Sequence, residues 1–360
     1  MKVVTLDYEG SNIAFIADLH LNVWKKNNKF FKNHIFETFN ELIVQCKKFN
    51  CSLIVIAGDI FDTKDIISVE ALHITAVLIR RLVNLHDLKI VIMPGNHDMV
   101  YRRDSSVTLL SNFEDIKNIH VFSEYGKVYV RDKLLHILPF THNLEEELRA
   151  IDTDPDKTNI LVGHFGVSGF KLHENAPDYI NTGKGDIDYE SNLLNKFDRV
   201  FLGHYHGYQT NDHVTYVSAP LQSKHLDNLS KHGFVFYDIY KNIHIFVDNI
   251  KTPQFITITL NKENLDKILE LKDHYVRLVI TKRISKHSLL KLTKKILKNN
   301  HDLKIQYKLI EETKFGTIEG WREITYENTE DLLSNFISEM YNKKMLKYDK
   351  KELMELVLND

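Results

Sequence analysis

Five short apolar segments, each followed by polar residues, constrain the fold of this chain most strongly. They occupy residues 13–17, 53–57, 89–93, 159–162 and 199–202. Continuous apolar runs of this length are typical of strands that are buried on both faces of a sheet. Amphipathic helices are predicted over residues 34–49 and 68–85, and a further helix near 105–117. The alternation of strands and helices indicates an α/β fold with a parallel sheet and right-handed crossovers.

The polar residues that follow the five segments should meet at one edge, because ligands of open α/β sheets lie beyond the carboxyl ends of the strands. Seven of them are potential metal ligands: Asp18, His20, Asp59, Asn96, His164, His204 and His206. A single His at a strand end is more often a structural residue, so the prediction depends on the conjunction of all five strand ends. Four of the five ends carry an adjacent Gly, which lets the backbone turn sharply.

The donor types predict a pair of metal ions. Carboxylate, imidazole and amide donors without thiolates suit Mn²⁺, Mg²⁺, Fe²⁺ or a catalytic Zn²⁺ rather than a structural zinc cluster. Seven ligands are too many for one ion and about right for two, an arrangement that suits in-line displacement at phosphorus. Such a pair needs a bridging carboxylate. Asp59 is the candidate, because Gly58 precedes it and its strand should be central in the sheet.

Composition sets further limits on fold and function. A chain of 360 residues, 43% of them hydrophobic, can bury the core of more than one domain. The net charge of −2 argues against nucleic-acid binding through bulk charge. No apolar run reaches the length of a membrane span and the N-terminus lacks a signal-peptide pattern, so we expect a soluble, intracellular protein. Cys46 and Cys51 are too few and too close for a disulfide framework, and we expect them to be packing residues.

Charge divides the C-terminal part of the chain. Residues 251–310 carry 14 basic and 5 acidic residues, a local charge of +9, in an alternating pattern of strands and helices. Residues 311–360 carry 7 basic and 12 acidic residues, a local charge of −5, and end in two amphipathic segments. The basic segment could serve to bind a polyanion, or it could reflect only the lysine bias of an AT-rich genome. The predicted domains are residues 1–250, 251–312 and 313–360.

The polar strings at the five strand ends resemble the five signature motifs of calcineurin-like metallophosphoesterases, in the same order and at similar spacing. The strings Gly58–Thr63 and Gly163–Phe170 are similar to those of SbcD-type nucleases of DNA repair, and most of all to tailed-phage recombination endonuclease subunits. The resemblance covers roughly residues 10–240. It implies an α/β fold with a two-sheet β-sandwich flanked by helices, followed by a small α+β capping domain and C-terminal helices.

The resemblance also implies a role for each polar residue. One metal would be surrounded by Asp18, His20, Asp59 and His206, and the other by Asp59, Asn96, His164 and His204. His97 would face the phosphate and stabilise the transition state or protonate the leaving oxygen, with Asp98 orienting its ring. The metal implied is Mn²⁺, with Mg²⁺ as the alternative. Asp62 stands where eukaryotic and archaeal relatives have His, so no role in exonuclease polarity is assigned to it.

DNA and an ATPase are the partners that the resemblance implies. Arg102, Arg103 and Lys171 follow the third and fourth motifs, where a DNA backbone would lie; a solvated surface loop is the alternative. Residues 251–312 would form a DNA-facing cap. The C-terminal segments would bind the coiled-coil base of an SbcC-like ATPase or dock on the protein's own core. The sequence lacks a phosphate-loop motif, so any ATP dependence would come from that partner.

The implied protein is a metal-dependent DNA endonuclease or exonuclease that acts as a homodimer of ATPase–nuclease pairs. We expect it in the cytoplasm, which is the host cytoplasm if the gene belongs to a phage, and away from membranes. One alternative is a phosphoesterase for nucleotides or cyclic nucleotides, which would require neither a basic cap nor terminal helices. Another alternative is a DNA-tethering scaffold with a vestigial site, which the complete set of ligands argues against.

Overall fold

The computed structural model describes residues 1–21, 29–62, 67–101, 104–171, 186–189, 192–222, 230–281, 286–300, 302–313 and 316–325. The chain forms two compact units, Met1–Thr252 and Pro253–Asp360. Among the described residues, no helix is long and apolar enough to cross a membrane.

The first unit contains seventeen described strands, three α-helices and one short 3₁₀-helix. In chain order they are β1 (Lys2–Leu6), β2 (Asn12–Ile16), α1 (Lys29–Lys48), β3 (Cys51–Ala57), α2 (Val69–His86), β4 (Lys89–Met93), β5 (Met99–Tyr101), β6 (Asp104–Thr108), the 3₁₀-helix Leu109–Phe113, β7 (Ile119–Val121), β8 (Gly126–Val130), β9 (Lys133–Leu138), α3 (Leu144–Ala150), β10 (Thr158–His164), β11 (Gly166–Val167), β12 (Asp186–Ile187), β13 (Arg199–Gly203), β14 (Gln209–Asn211), β15 (Val214–Tyr216), β16 (Gly233–Asp238) and β17 (Ile243–Asp248).

Two large sheets form the first unit. One has the strand order β17-β16-β2-β3-β4-β7 and the other the order β1-β8-β9-β10-β13-β15-β14. Strands β2, β3 and β4 are parallel, and so are β9, β10 and β13, which confirms the predicted parallel arrangement. The sheets pack face to face through fully buried side chains; the rings of Phe15 on β2 and Phe201 on β13 stack with centroids 4.2 Å apart. The predicted two-sheet sandwich is therefore confirmed.

The helices follow the sequence signals that predict them. Helix α2 begins at Ser68, whose hydroxyl accepts from the main-chain N–H of Ala71. Its buried residues recur at helical spacing, and the helix ends at Asp87 in a left-handed conformation. Both cysteines, Cys46 and Cys51, are free and buried, as expected of packing residues.

The predicted helix near residues 105–117 is wrong. Residues 104–108 form β6, which pairs antiparallel with β5, and only Leu109–Phe113 turn into a 3₁₀-helix. Val107 and Thr108 are β-branched and favour strands. The hydroxyl of Thr108 accepts from the N–H of Leu110, so this residue ends the strand and caps the short helix that follows.

The second unit has its own sheet and core. It consists of β18 (Phe255–Thr259), α4 (Leu265–Glu270), β19 (Tyr275–Ile280), α5 (Lys286–Asn299), β20 (Asp302–Thr313) and β21 (Gly316–Thr325). Strands β18, β19 and β20 are parallel, as the predicted alternation of strands and helices requires, while β20 and β21 form an antiparallel hairpin. The predicted boundary between residues 312 and 313 falls inside this hairpin. The predicted C-terminal helices lie outside the described residues.

Candidate metal centre

The predicted strand ends of the two sheets meet at one place in the first unit. The main-chain N–H of Asp18, after β2, donates to the carbonyl of Gly58, after β3, over 3.0 Å. The N–H of His204, after β13, lies 3.1 Å from both carboxylate oxygens of Asp18. Nδ1 of His164, at the end of β10, donates to the carbonyl of Ala57 over 2.8 Å. The first of these hydrogen bonds joins neighbouring strand ends of one sheet, and the other two connect the two sheets at the place where the predicted ligands lie.

A first cluster consists of Asp18, His20 and His206, whose donor atoms all lie within 4.8 Å of one another. The Nε2 atoms of His20 and His206 face each other at 3.0 Å. Asp18 and His20 are buried, while His206 is half-buried. Two imidazole nitrogens and a carboxylate oxygen at this spacing can bind one divalent cation.

A second cluster consists of Asp18, Asp59 and His164, again within 4.8 Å of one another. Nε2 of His164 lies 3.3 Å from Oδ2 of Asp59 and 3.1 Å from Oδ1 of Asn96. The same Asn96 oxygen lies 3.2 Å from Nδ1 of His204. The structure therefore places all the residues predicted for the second metal beside one another.

The orientation of His164 shows that a cation fits this place. Because its Nδ1–H donates to the carbonyl of Ala57, Nε2 of the neutral ring carries a lone pair. That lone pair faces two oxygens that are also acceptors, those of Asp59 and Asn96. A proton on Nε2, or a metal ion in its place, would satisfy these converging acceptors. A ring nitrogen held in one tautomer by a backbone carbonyl is the usual arrangement of a metal-binding His.

The backbone of the ligand loops is held in an unusual conformation. Positive φ angles occur at Asp18 (53°), His20 (45°), Asp59 (50°) and His204 (95°). For residues with a side chain, left-handed conformations cost roughly 1–2 kcal/mol each, and such strain is concentrated at functional sites. Gly58 has a φ of 86°, and a Cβ there would collide with the ring of His164. The fold thus holds these ligand residues in backbone conformations that residues with a side chain disfavour.

A family comparison decides the wider class of the protein. The family model described as "Calcineurin-like phosphoesterase" matches residues 11–208, more than half of the chain. The chain belongs to the calcineurin-like phosphoesterases. It is therefore an enzyme of phosphoester hydrolysis, and the two clusters are its candidate ligands for divalent metal ions.

Three curated relatives place this calcineurin-like phosphoesterase within its family. "Exonuclease subunit 1" of Enterobacteria phage T4 is 24% identical over 67% of this chain and 68% of its own length. "DNA double-strand break repair protein Mre11" of Nanoarchaeum equitans is 21% identical over 94% of each chain. The SbcD component of the SbcCD nuclease of Staphylococcus epidermidis is 27% identical over 64% of this chain and 66% of its own length. The predicted resemblance to the SbcD type is confirmed.

The electrostatics of the phosphoesterase site follow from burial and from the mutual attraction of its charges. Burial raises the pKa of Asp18 to about 6 and lowers the pKa values of His20 and His204 to about 3. Burial opposes ionisation of Asp59 and His164 as well. Their attraction outweighs it, however, lowering the pKa of Asp59 and raising the pKa of His164 to about 9. Before metal enters, these two residues thus form a buried ion pair.

His97 lies at the mouth of the site, with 42% of its side chain exposed. Its main-chain N–H donates to Oδ1 of Asp59 over 2.8 Å, and its Nε2 lies 4.0 Å from Oδ2 of the same residue. This position agrees with a residue that meets the substrate. Its Nδ1 donates to the carbonyl of Asp62 over 2.6 Å.

The predicted contact between Asp98 and the ring of His97 requires a correction. The buried Asp98 carboxylate accepts three main-chain N–H bonds, from Ile60 at 3.1 Å, Phe61 at 2.9 Å and Gly95 at 2.9 Å. Burial raises its pKa to about 7. Asp98 therefore holds the loops after β3 and β4 together and acts on His97 only through the backbone.

Asp62 is the residue that sequence reasoning left without a role. Its carbonyl holds the ring of His97, and its Oδ1 lies 3.7 Å from Nδ1 of His20. The only sequence signal was its place at the end of the Gly-Asp-Ile-Phe-Asp string. The strand end after β9 also borders the site, because the N–H of Phe140 donates to the carbonyl of Pro94 over 3.3 Å.

The predicted DNA contacts have different outcomes. Arg102 and Arg103 lie outside the described residues. Lys171 is half-buried, and its main chain is paired with the side chain of Gln209: its N–H donates to Oε1 over 2.9 Å and its carbonyl accepts from Nε2 over 2.6 Å. This contact holds the main chain of Lys171 in place.

Proposed function

We propose that this chain is a metal-dependent nuclease that hydrolyses phosphodiester bonds of DNA, as the nuclease subunit of an SbcC-like ATPase complex. One observation carries the proposal: Oδ2 of Asp59 lies within 4.0 Å of Nε2 of His20, His97 and His164. This buried carboxylate thus lies near one His of each ligand cluster and near the exposed His. The names of the relatives, which are nucleases and a DNA repair protein, support DNA as the substrate.

The residues divide the work of the reaction. Asp18, His20, Asp59 and His206 would hold one divalent ion, and Asp59, Asn96, His164 and His204 the other, with Mn²⁺ as the proposed metal and Mg²⁺ as the alternative. Two such ions supply charge stabilisation for the attacking and leaving oxygens. His97 keeps Nδ1–H on the Asp62 carbonyl, so its Nε2 can meet the phosphate and, when protonated, donate to the leaving oxygen.

Two variants test these roles. Asp59→Ala should lower the content of both metals, because the carboxylate reaches both clusters. His97→Ala should retain both metals and lose turnover by about 10²–10⁴-fold, the usual contribution of a general acid. Metal content is measured by elemental analysis, and cleavage is measured on labelled hairpin, single-stranded and duplex DNA with Mn²⁺, with and without the ATPase. Equal metal loss in both variants would contradict the role assigned to His97.

Helix α5 provides a surface suited to a polyanion. The sequence of the helix contains no acidic residue, and exposed lysines recur along one face. Among the residues that the structure describes, these exposed lysines are Lys291, Lys294, Lys295 and Lys298. The opposite face is buried through Leu292 and Ile296. A nucleotide or cyclic nucleotide would not require such a row of charges, whereas a DNA backbone with regularly spaced phosphates would.

Charge reversal on α5 separates the two substrate classes. Lys291→Glu with Lys295→Glu should weaken DNA binding and reduce the slope of log affinity against log salt by about 2, at roughly 0.9 for each lost phosphate contact. Hydrolysis of bis(4-nitrophenyl) phosphate should be unchanged. Lys117→Glu, at an exposed position of the first unit, is the matched control. Equal effects on both substrates would favour a small-molecule phosphoesterase, and binding without any hydrolysis would favour a tethering scaffold.

The remaining assignments concern domains and partners. We assign residues 1–250 to the nuclease domain, 251–312 to a DNA-facing cap and 313–360 to binding of the ATPase, and we expect a homodimer. The acidic charge and amphipathic segments of residues 311–360 support the last assignment. A chain ending at residue 325 retains both strands of the β20–β21 hairpin and should not co-purify with the ATPase. Co-purification of that chain would contradict the assignment.

A further inference from the structure

The side chain of His20 has one nitrogen directed to the first cluster and one directed away from it. Its Nε2 lies 3.0 Å from Nε2 of His206, 3.8 Å from Oδ2 of Asp59 and 4.0 Å from Oδ1 of Asp18. Its Nδ1 is buried and has no hydrogen-bond partner in the part of the chain that the structure describes. A buried N–H without an acceptor costs about 1–3 kcal/mol, so an arrangement in which Nδ1 finds an acceptor is favoured.

The charged oxygen that faces this nitrogen belongs to Asp62. Its Oδ1 lies 3.7 Å from Nδ1 of His20, just beyond hydrogen-bond distance, and 27% of the side chain is exposed. A hydrogen bond between the two groups therefore requires the Asp62 carboxylate to move closer to this nitrogen. A His that binds a metal through one ring nitrogen usually donates the other N–H to a carboxylate or carbonyl, which fixes the tautomer and makes the ligand more basic.

Asp62 contacts the site through two separable groups. Its main-chain carbonyl accepts from Nδ1 of His97, and its side-chain carboxylate faces His20. Substitution of the side chain removes only the second contact, because the carbonyl is present in every residue. The effect on a metal ligand can thus be measured with the hydrogen bond of His97 in place.

We propose that Asp62 is a positioning residue whose carboxylate accepts the Nδ1–H of His20 when His20 binds metal, and thereby sets the affinity of the His20-containing metal site. The inference rests on the proposed metal centre and is independent of DNA as the substrate. Asp62 would thus affect the metal affinity of the His20-containing site and leave the affinity of the other site unchanged.

Titration of metal-free protein with Mn²⁺, followed by calorimetry, tests the inference. The wild-type chain should bind two ions. Asp62→Ala should weaken one binding event about 10–100-fold, the range found for loss of such supporting contacts, and leave the other unchanged. Asp62→Asn retains an acceptor oxygen without the charge and should fall between. Asp115→Ala, at an exposed carboxylate outside the centre, is the matched control.

A second readout separates positioning from catalysis. The Mn²⁺ concentration that gives half-maximal hydrolysis of bis(4-nitrophenyl) phosphate should rise in Asp62→Ala by the same factor as the weakened binding event, because that site must be filled for activity. Metal-free variants with the wild-type unfolding temperature would show that the fold is intact. Two unchanged binding events in Asp62→Ala, equal weakening of both, or an unchanged Mn²⁺ dependence of hydrolysis would each overturn the inference. A wild-type chain that binds no metal would overturn the proposed metal centre itself.

Discussion

Replacing Asp98 with Ala should destabilise the first unit rather than disturb a single catalytic ring. The carboxylate is 3% exposed and accepts the main-chain N–H groups of Ile60, Phe61 and Gly95. Each buried N–H left without an acceptor costs about 1–3 kcal/mol. Relief of the burial cost of the carboxylate offsets part of that sum, so we expect a net loss of about 2–5 kcal/mol.

The assay is urea unfolding of metal-free protein between pH 5 and pH 8, followed by circular dichroism. Burial raises the pKa of Asp98 to about 7, above its ordinary value of 3.8. Asp98 therefore contributes its full stabilisation below pH 4, and this contribution decreases as the pH rises through 7. The loss of unfolding free energy caused by Asp98→Ala should accordingly be smaller at pH 8 than at pH 5. Asp98→Asn replaces one acceptor oxygen with a donor and should be intermediate.

The opposite pattern would refute this reasoning. If Asp98 acted on the ring of His97, Asp98→Ala would lower kcat and leave both stability and metal content unchanged. A change in unfolding free energy below about 0.5 kcal/mol, which is typical of a surface substitution, would show that the three N–H groups do not depend on the carboxylate. Asp115→Ala provides the surface reference.

Three further predictions concern the core and its pH dependence. Burial lowers the pKa of His136 to about 4, so the free energy of unfolding should fall as the pH falls from 6.5 to 4. His136→Gln should reduce the slope of unfolding free energy against pH by up to about 1.4 kcal/mol per pH unit. An unchanged slope would contradict this prediction. Gly203→Ala places a Cβ against the carbonyl of Ala57, which should cost about 1–3 kcal/mol and weaken Mn²⁺ binding; wild-type affinity would contradict the tight approach. Phe201→Ala should lower the free energy of unfolding, measured in urea, by about 3–5 kcal/mol. A decrease below about 1 kcal/mol would contradict the stacking of Phe201 in the core.

The parallel strands and the place of the site were predictable from local patterns. Each strand is an apolar run that stops at a polar residue, and parallel order brings the strand ends together within each sheet. Face-to-face packing of the two sheets then brings Asp18 and Asp59 of one sheet beside His164 of the other. The arrangement of the strands therefore brings five motifs, each weak evidence by itself, to one place in the structure. The predicted helix at 105–117 failed because the spacing of Leu109, Leu110 and Phe113 is helical, whereas strand pairing decides the residues before them.

The partners of the polar side chains were not predictable. His97 and Asp98 are neighbours in sequence, which suggested that they contact each other. In the tight turn after β4, however, the carboxylate points to the main chain of Ile60 and Phe61. The direction of a side chain depends on backbone angles such as the left-handed φ of Asp59, and those angles follow from tertiary contacts rather than from residue type.

The bond between His204 and Asp18 has a consequence for how the protein acquires its metal. These residues are 186 positions apart in the chain, and they lie on different sheets of the sandwich. Contacts of such large sequence separation require closure of a long loop and are slow to form. In small zinc domains the ion drives folding because the ligands are close in sequence. Here the ligands come from both sheets of the sandwich, so Mn²⁺ should slow unfolding without accelerating refolding. Metal uptake would then mark the last step of folding.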